Sequence, residues 1–381
     1  MNKSICICPN CTCELKLIPN KEINDEIKNK DKQNNINKAP RKERQYIFDN
    51  YKCILIFCVV IGHFCNKYKT NLICYRIYNF VNIFHMASFV FISGYFTKSE
   101  NSRSLKGISK LILIYLIFNT IYLLFLNSFI KKQIDFFIPP FGNWYLMALI
   151  IWRITVNFFA KQYVSILLSI IFCLAVGFWR IPDLLAIKRV ITFYPFFIFG
   201  YKIPKEYVNT ILKYRKGFIK ILFFPFYVAF IYQLYNFANT DARHPGIYTF
   251  GPYSKQNTFR IRIKVIIYNY LMVFLSLLIL PNVKIPLMTS IGSNTLYIYL
   301  FHDYFVWTSN FKSNYVYNCF LYTTIIIIIF GSNLICDALN TMINVMHKNI
   351  MEDNHKGKMI IMVISFSFIL ILIQPINCRK L

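Results

Sequence analysis

A chain of 381 residues that is 56% hydrophobic, 18% aromatic and only 15% charged, with a mean hydropathy of +0.44, lies outside the range of soluble globular domains and reads as a polytopic membrane protein. Its formal net charge of +27 would suit a nucleic-acid binder. The lysines and arginines, however, are spread over tails and over loops between apolar runs, so no nucleic acid is expected, and topology signals or contacts with anionic lipid and cofactor phosphates explain the charge more simply.

Residues 1–45 are polar, rich in Lys, Asn, Glu and Asp, and lack periodic apolar positions, which predicts a largely disordered tail. The tail carries a cluster, Cys6, Cys8, Cys11 and Cys13, in which Cys8-Pro-Asn-Cys11 is half of a zinc-ribbon knuckle without a second half. Cys53, Cys58, Cys74, Cys173 and Cys336 fall in or beside apolar runs, where a thiol behaves as a small hydrophobe, and no disulfide framework can be inferred. The opening residues have no apolar core of a signal peptide, so the first span is expected to direct insertion.

That first span, Phe48 to Phe64, holds Asp49 and Lys52 at its start and His63 near its end. At about 100° per residue His63 returns to within about 20° of Lys52, and Asp49 falls about 60° away, so the three share a helix face. Only Ile56 and Val59 lie between the two polar ends, a strip roughly 16 Å long at ~1.5 Å per residue. An ionisable group at membrane depth is a functional candidate by default, and an imidazole that is neutral near physiological pH is suited to accept a proton.

Further apolar stretches follow at about 75–96, 108–130, 143–159, 163–179, 190–203, 218–237, 264–281, 290–308 and 316–340, with another at 359–376. The expectation is an all-α, polytopic integral membrane bundle of about ten to eleven transmembrane helices. It divides into the tail (1–45), a transmembrane domain (46–340), and a loop plus an additional C-terminal hydrophobic span (341–381). Several stretches are short for ~30 Å of hydrocarbon, which is tolerable where protein or a water-filled cavity surrounds them. The positive-inside rule puts the N-terminus in the cytoplasm, together with Lys98, Arg103, Lys106, Lys110, Lys202, Lys205, Lys213, Arg215, Lys216 and Lys220. The opposite side then receives the basic loop at about 237–263 with Arg243, Lys255, Arg260 and Arg262, which invites an anionic polymer although a neutral sugar fits equally well.

Other polar residues punctuate these runs. His85 and Ser88 are neighbours on one helix face, followed by Ser93 and Gly94. Trp144 and Tyr145 suit either an interfacial belt or stacking on a sugar. His302 closes a span with Thr295 on the same face and Asp303 beside it, able to orient an acceptor, hold an oxyanion or anchor the span end. Arg103-x-x-Lys106 places two cations on one side of a helical turn, a suitable grip for a pyrophosphate or a plain topology signal. His244, His347 and His355 lack partners at metal-ligand spacing and read as exposed loop residues, and no phosphate-binding loop, dinucleotide fingerprint or nucleophile elbow is present.

In order along the chain, Asp49 and Lys52 with His63, then IFHMASFVFISGYF (83–96), GNWYLMALIIWRI (142–154), FYPFFIFGY (193–201) and IGSNTLYIYLFH (291–302) resemble the acyltransferase 3 family of membrane O-acyltransferases, closest to its fucose 4-O-acetylase-like subgroup. Ala87 stands where many members have Pro. The resemblance implies transfer of an acyl group, usually acetyl from acetyl-CoA on the cytoplasmic side, to a hydroxyl of a sugar, cell-surface polysaccharide or glycolipid. It implies His63 as the catalytic histidine, with Lys52, Asp49 and His302 in the catalytic set. Arg103, Lys106 and Lys52 become candidates for contacting the cofactor, and His85, Ser88, Ser93, Trp144 and Tyr145 candidates for binding substrate. Acetyl-CoA is then the acyl-donor cosubstrate, no metal is expected, and the protein would be a multi-pass component of the plasma membrane. The residues leave two alternatives open: a transporter or flippase for a glycan or lipid whose buried histidines line a path, although the internal repeat usual for such proteins is not found, and a catalytically silent relative that only binds its ligand, for which loss of His63 or Lys52 would be the mark and both are present.

Overall fold

The computed structural model describes residues 44–130, 138–139, 142–160, 164–180, 184–215, 217–242 and 251–352. The cysteine cluster of the tail, Arg243, His244, His355 and the stretch 359–376 lie outside the described residues. Among the described residues every element is helical, in agreement with the all-α expectation.

Long apolar helices run up and down between two ends of the bundle. Helix α1 (Tyr46–Lys67) is apolar around most of its circumference and most of it is buried, which a helix achieves only when neighbours surround it. The side chain of Asn71 caps α2 (Leu72–Phe96) by accepting from the Ile73 and Cys74 N–H groups, and the helix is unbroken at Ala87. Helix α3 (Leu105–Phe125) starts at a Ser104 cap, α4 spans Asn143–Phe159, α5 Ser165–Ala175 and α6 Ile187–Lys202. After α7 (Lys205–Tyr214) come α8 (Phe218–Thr240) and α9 (Phe259–Ile279), then the short α10 (Pro286–Ser293), α11 (Thr295–Thr308), α12 (Tyr315–Phe330) and α13 (Asn333–Glu352).

Close backbone approaches lock the centre. A Cβ on Gly94 would strike the Phe197 carbonyl, and one on Gly200 the Phe91 carbonyl, so α2 and α6 pack with backbone against backbone. Gly292 of α10 likewise rests on the Asp49 carbonyl of α1. At the end where α1 begins, here the near end, Phe48 packs edge-on to Phe96 at 5.3 Å and Lys98 donates to the Ile203 carbonyl. Asn50 donates there to the carbonyls of Pro281 and Val283 at 3.0 Å each. At the far end Lys67 donates to the carbonyls of Val306, Trp307 and Ser309.

Among the described residues six helices are long and apolar enough to cross a membrane: Tyr46–Lys67, Leu72–Phe96, Leu105–Phe129, Leu184–Lys202, Phe218–Thr240 and Phe259–Ile279. A seventh results if α12 and the following helix, bent by 56°, count as one span. The described residues thus do not confirm the ten to eleven spans expected from sequence, one of which, 359–376, lies outside them. The apolar stretches among the described residues are helical, but α4 has 17 residues, α11 14 and α5 11, short of the ~20 needed to cross the hydrocarbon at 1.5 Å per residue.

Candidate active site

Helices α1 and α11 run side by side, and midway along α11 two consecutive polar residues interrupt an otherwise apolar sequence. There the Nδ1 of His63 lies 3.5 Å from Oδ1 of Asp303, and the Nε2 of His302 lies 3.4 Å from the same oxygen. The two imidazoles meet edge to face with centroids 4.9 Å apart. His63 keeps 29% of its side chain exposed whereas that of Asp303 keeps 5% and that of His302 none, so His63 is the member that a ligand can reach.

Each buried member is oriented by backbone. A carbonyl oxygen only accepts, so the 2.7 Å contact from His302 Nδ1 to the Tyr299 carbonyl puts the proton on Nδ1. His302 Nε2 is left with no hydrogen-bond partner and turned toward Asp303. The other carboxylate oxygen of Asp303 accepts from the Gly142 N–H at 3.2 Å, and Tyr299 donates to the Gly142 carbonyl at 2.7 Å. Gly142, at the start of α4, therefore ties that short helix to the site in the middle of α11. One face of α11 carries Tyr299, His302 and Asp303, at the i, i+3, i+4 spacing that gathers them.

Next to this knot Tyr145 stacks edge to face on Tyr299 at 5.5 Å and shares a 2.5 Å hydrogen bond with Ser93. Trp144 stacks on Phe193 at 5.3 Å, with the Arg189 guanidinium 5.3 Å from its ring. Trp144 is buried in the bundle, which removes the interfacial-belt reading for it.

The structure brings together His63, His302, Ser93, Tyr145 and Trp144, and it separates other candidates. Asp49 and Lys52 pair with each other at 3.0 Å at the near end, 14 and 11 residues before His63, so Asp49 is not the carboxylate beside the imidazole. Asp303 holds that place. Ile56 and Val59 have no exposed surface, so the strip between Lys52 and His63 is packed shut and cannot carry a cofactor arm in this conformation. Ser88 is fully buried, accepting from Tyr51 at 2.8 Å, and His85 is buried with Nδ1 2.6 Å from the Val81 carbonyl; neither offers a surface to a substrate.

Arg103 and Lys106 do not form one grip. Ser104, with ψ 154°, ends the turn Glu100–Arg103 and caps α3, so the two cations belong to different helical segments. Arg103 donates to Asn157 at 2.7 Å while Lys106 faces α13. His347 is buried in α13 and bonded to Ser109 at 2.8 Å, because the predicted loop is helical there. Arg262 is buried too, held by the Gly251 carbonyl at 2.5 Å and the Tyr253 ring, so it is not free to meet an anionic polymer.

Asp303, Tyr299, Gly142 and Arg189 were not singled out from the sequence as site residues. For Asp303 the signal was available, since a carboxylate inside an apolar span is as unusual as the histidine before it. The nitrogen and oxygen atoms of His63, His302 and Asp303 all lie within 4.8 Å of one another, as do the sulfurs of Cys65, Cys74 and Cys319, and either set has the spacing to hold a metal ion.

A family model described as an acyltransferase domain matches residues 45–339, most of the chain. The chain belongs to the acyltransferase 3 family. No curated protein and no solved structure matches it. The matched stretch contains α1 to α12 and with them every residue of the His63 site, which makes the site part of a membrane acyltransferase domain.

Proposed function

We propose that the protein is an O-acetyltransferase that moves acetyl from acetyl-CoA to a hydroxyl of a sugar, cell-surface polysaccharide or glycolipid. The observation that carries the reading is a reachable imidazole, His63, held against the buried carboxylate of Asp303 inside an acyltransferase domain. Asp303 accepts from Nδ1–H and thereby leaves the Nε2 lone pair for the acceptor, the division of labour by which a carboxylate sets the tautomer of a general base. The 3.5 Å separation closes as substrate binds, as is common for catalytic contacts in ligand-free sites.

As the acceptor oxygen attacks the thioester carbonyl, its proton passes to His63. The C–S bond then breaks, the CoA thiolate takes the proton from the imidazolium, and the new C–O bond is the ester. An alternative order, with acetyl carried first on the His63 ring, uses the same atoms in two steps. His302, closed off behind Asp303, is a positioning residue. Tyr145 supplies an aromatic face for a sugar, with Ser93 as a hydrogen-bonding partner, and the buried Trp144 ring backs Tyr145 edge to face at 6.0 Å. Lys52 and Arg103 at the near end are the cations placed to meet the cofactor phosphates, which enter from the cytoplasm if the near end faces it.

Incubating membranes with acetyl-CoA labelled in the acetyl group tests the proposal. Label should pass to a glycan or glycolipid fraction, and His63→Gln should stop it. Label that stays in soluble cofactor with the intact protein would instead favour a transporter or flippase.

A further inference from the structure

The far end carries a feature that the chemistry at His63 leaves unused. Cys65 lies in the last turn of α1, Cys74 in the first turn of α2 and Cys319 near the start of α12, and their sulfurs all lie within 4.8 Å of one another. All three residues are completely buried. Local structure holds them there: the Asn71 N–H donates to the Tyr68 carbonyl at 3.0 Å and closes the turn between α1 and α2, and Tyr68 stacks on Tyr315 of α12 at 5.5 Å. The apolar character of a thiol accounts for single cysteines such as Cys53, Cys58, Cys173 and Cys336, which belong to no group of three potential ligands among the described residues. It does not account for three helices that each bring a sulfur to one point.

We propose that Cys65, Cys74 and Cys319 bind a soft cation, monovalent copper, which ties α1, α2 and α12 together at the far end. With metal–sulfur bonds of about 2.3 Å a trigonal ion needs its sulfurs about 4 Å apart, so the observed spacing has to close by less than about 1 Å. Thiolates are soft donors that select monovalent copper or zinc, and zinc in structural sites takes four ligands whereas this set offers three. Ionising two of the three thiols releases two protons to solvent and leaves the occupied site with one net negative charge. Cys74 stands at the positive end of α2, its N–H held by the Asn71 side chain at 3.1 Å, and that end favours the charge. The turn is exposed at Lys69 and Thr70, which gives the ion its way in. The site uses none of the groups around His63 and does not depend on the acyl-transfer reading.

The test uses the reduced full-length chain in detergent, with the thiols near its two ends removed as Cys6→Ser, Cys8→Ser, Cys11→Ser, Cys13→Ser and Cys378→Ser. Titrated with monovalent copper against bicinchoninate, this protein should take up about one equivalent and melt at a higher temperature once loaded. Adding Cys319→Ala or Cys65→Ala should weaken copper binding by about a hundredfold or more and abolish the rise, whereas Cys336→Ala should leave both unchanged. X-ray absorption at the copper edge of the loaded protein should show three sulfur neighbours, a readout that does not depend on how the variants fold. No uptake, nitrogen neighbours, or uptake undiminished by Cys319→Ala would leave the cluster without a metal and overturn the proposal. A preference for zinc in the same competition would overturn the choice of copper. A disulfide within the set, found by mass mapping of acid-quenched cells, would overturn the metal site as well.

Discussion

His63 and Asp303 form the pair on which the proposed chemistry turns, and single substitutions separate their roles. His63→Gln keeps the volume and polarity of the ring but cannot take a proton, so acetyl transfer should fall by about 10²–10⁴-fold at unchanged protein yield. Asp303→Asn should lower kcat over a similar range and leave KM for acetyl-CoA within a few fold, because it alters the tautomer of His63 and not the cofactor's grip. A kcat within threefold of the unaltered enzyme would remove Asp303 from the mechanism. Lys98, past the end of α2, makes a different kind of prediction. Burial, and then Lys205, push its pKa down to about 8 from the usual 10.5, with Glu206 opposing. The unfolded chain holds that proton to about 10.5 whereas the folded protein releases it near 8, so stability should rise with pH across this window and be lowest, through this group, below it. Melting temperatures of the protein and of Lys98→Met, compared from pH 7 to 11, should diverge in that window, and parallel curves would deny the shift.

At the scale of elements, fully buried Asn50 acts as a clamp on α1. It donates to the Pro281 and Val283 carbonyls and accepts from the Thr289 hydroxyl at 2.8 Å, joining α1 to α10 and to the segment before it. Asn50→Ala leaves these groups without partners and should cost about 2–4 kcal/mol, read as a lowered thermal midpoint in detergent. An unchanged midpoint would mean that water replaces the amide. From sequence, Asn50 is one more polar residue at the end of an apolar run. Its role depends on carbonyls more than 230 positions away, which no local pattern reveals. The Arg103–Lys106 pair shows the opposite failure: the spacing was read as one helical turn, and a serine cap between them divides it.

At the scale of the whole molecule, the contacts of Asn50, Lys98 and Asn294 place several loops at the end where α1 begins, and those of Lys67 place others opposite. A cysteine introduced in place of exposed Lys284 should therefore react with a membrane-impermeant maleimide from the same side as the start of α1, and one at Lys69 from the other side. Labelling of both from one side would contradict this arrangement. The same experiment decides whether the near end faces the cytoplasm, as the lysine and arginine bias suggests.

Composition and the long continuous apolar runs determined that this chain forms apolar helices, since a backbone in lipid satisfies its hydrogen bonds only in a helix or a closed barrel and barrel strands alternate apolar with polar residues. The order of short motifs determined the family, and the cost of a histidine at membrane depth pointed to His63. Tertiary structure alone decided which carboxylate stands beside that ring. Asp49 shares its helix, but a rigid helix keeps residues 14 positions apart far from each other. Asp303, 240 positions later, reaches it because a neighbouring helix can bring any residue of the chain to the same depth.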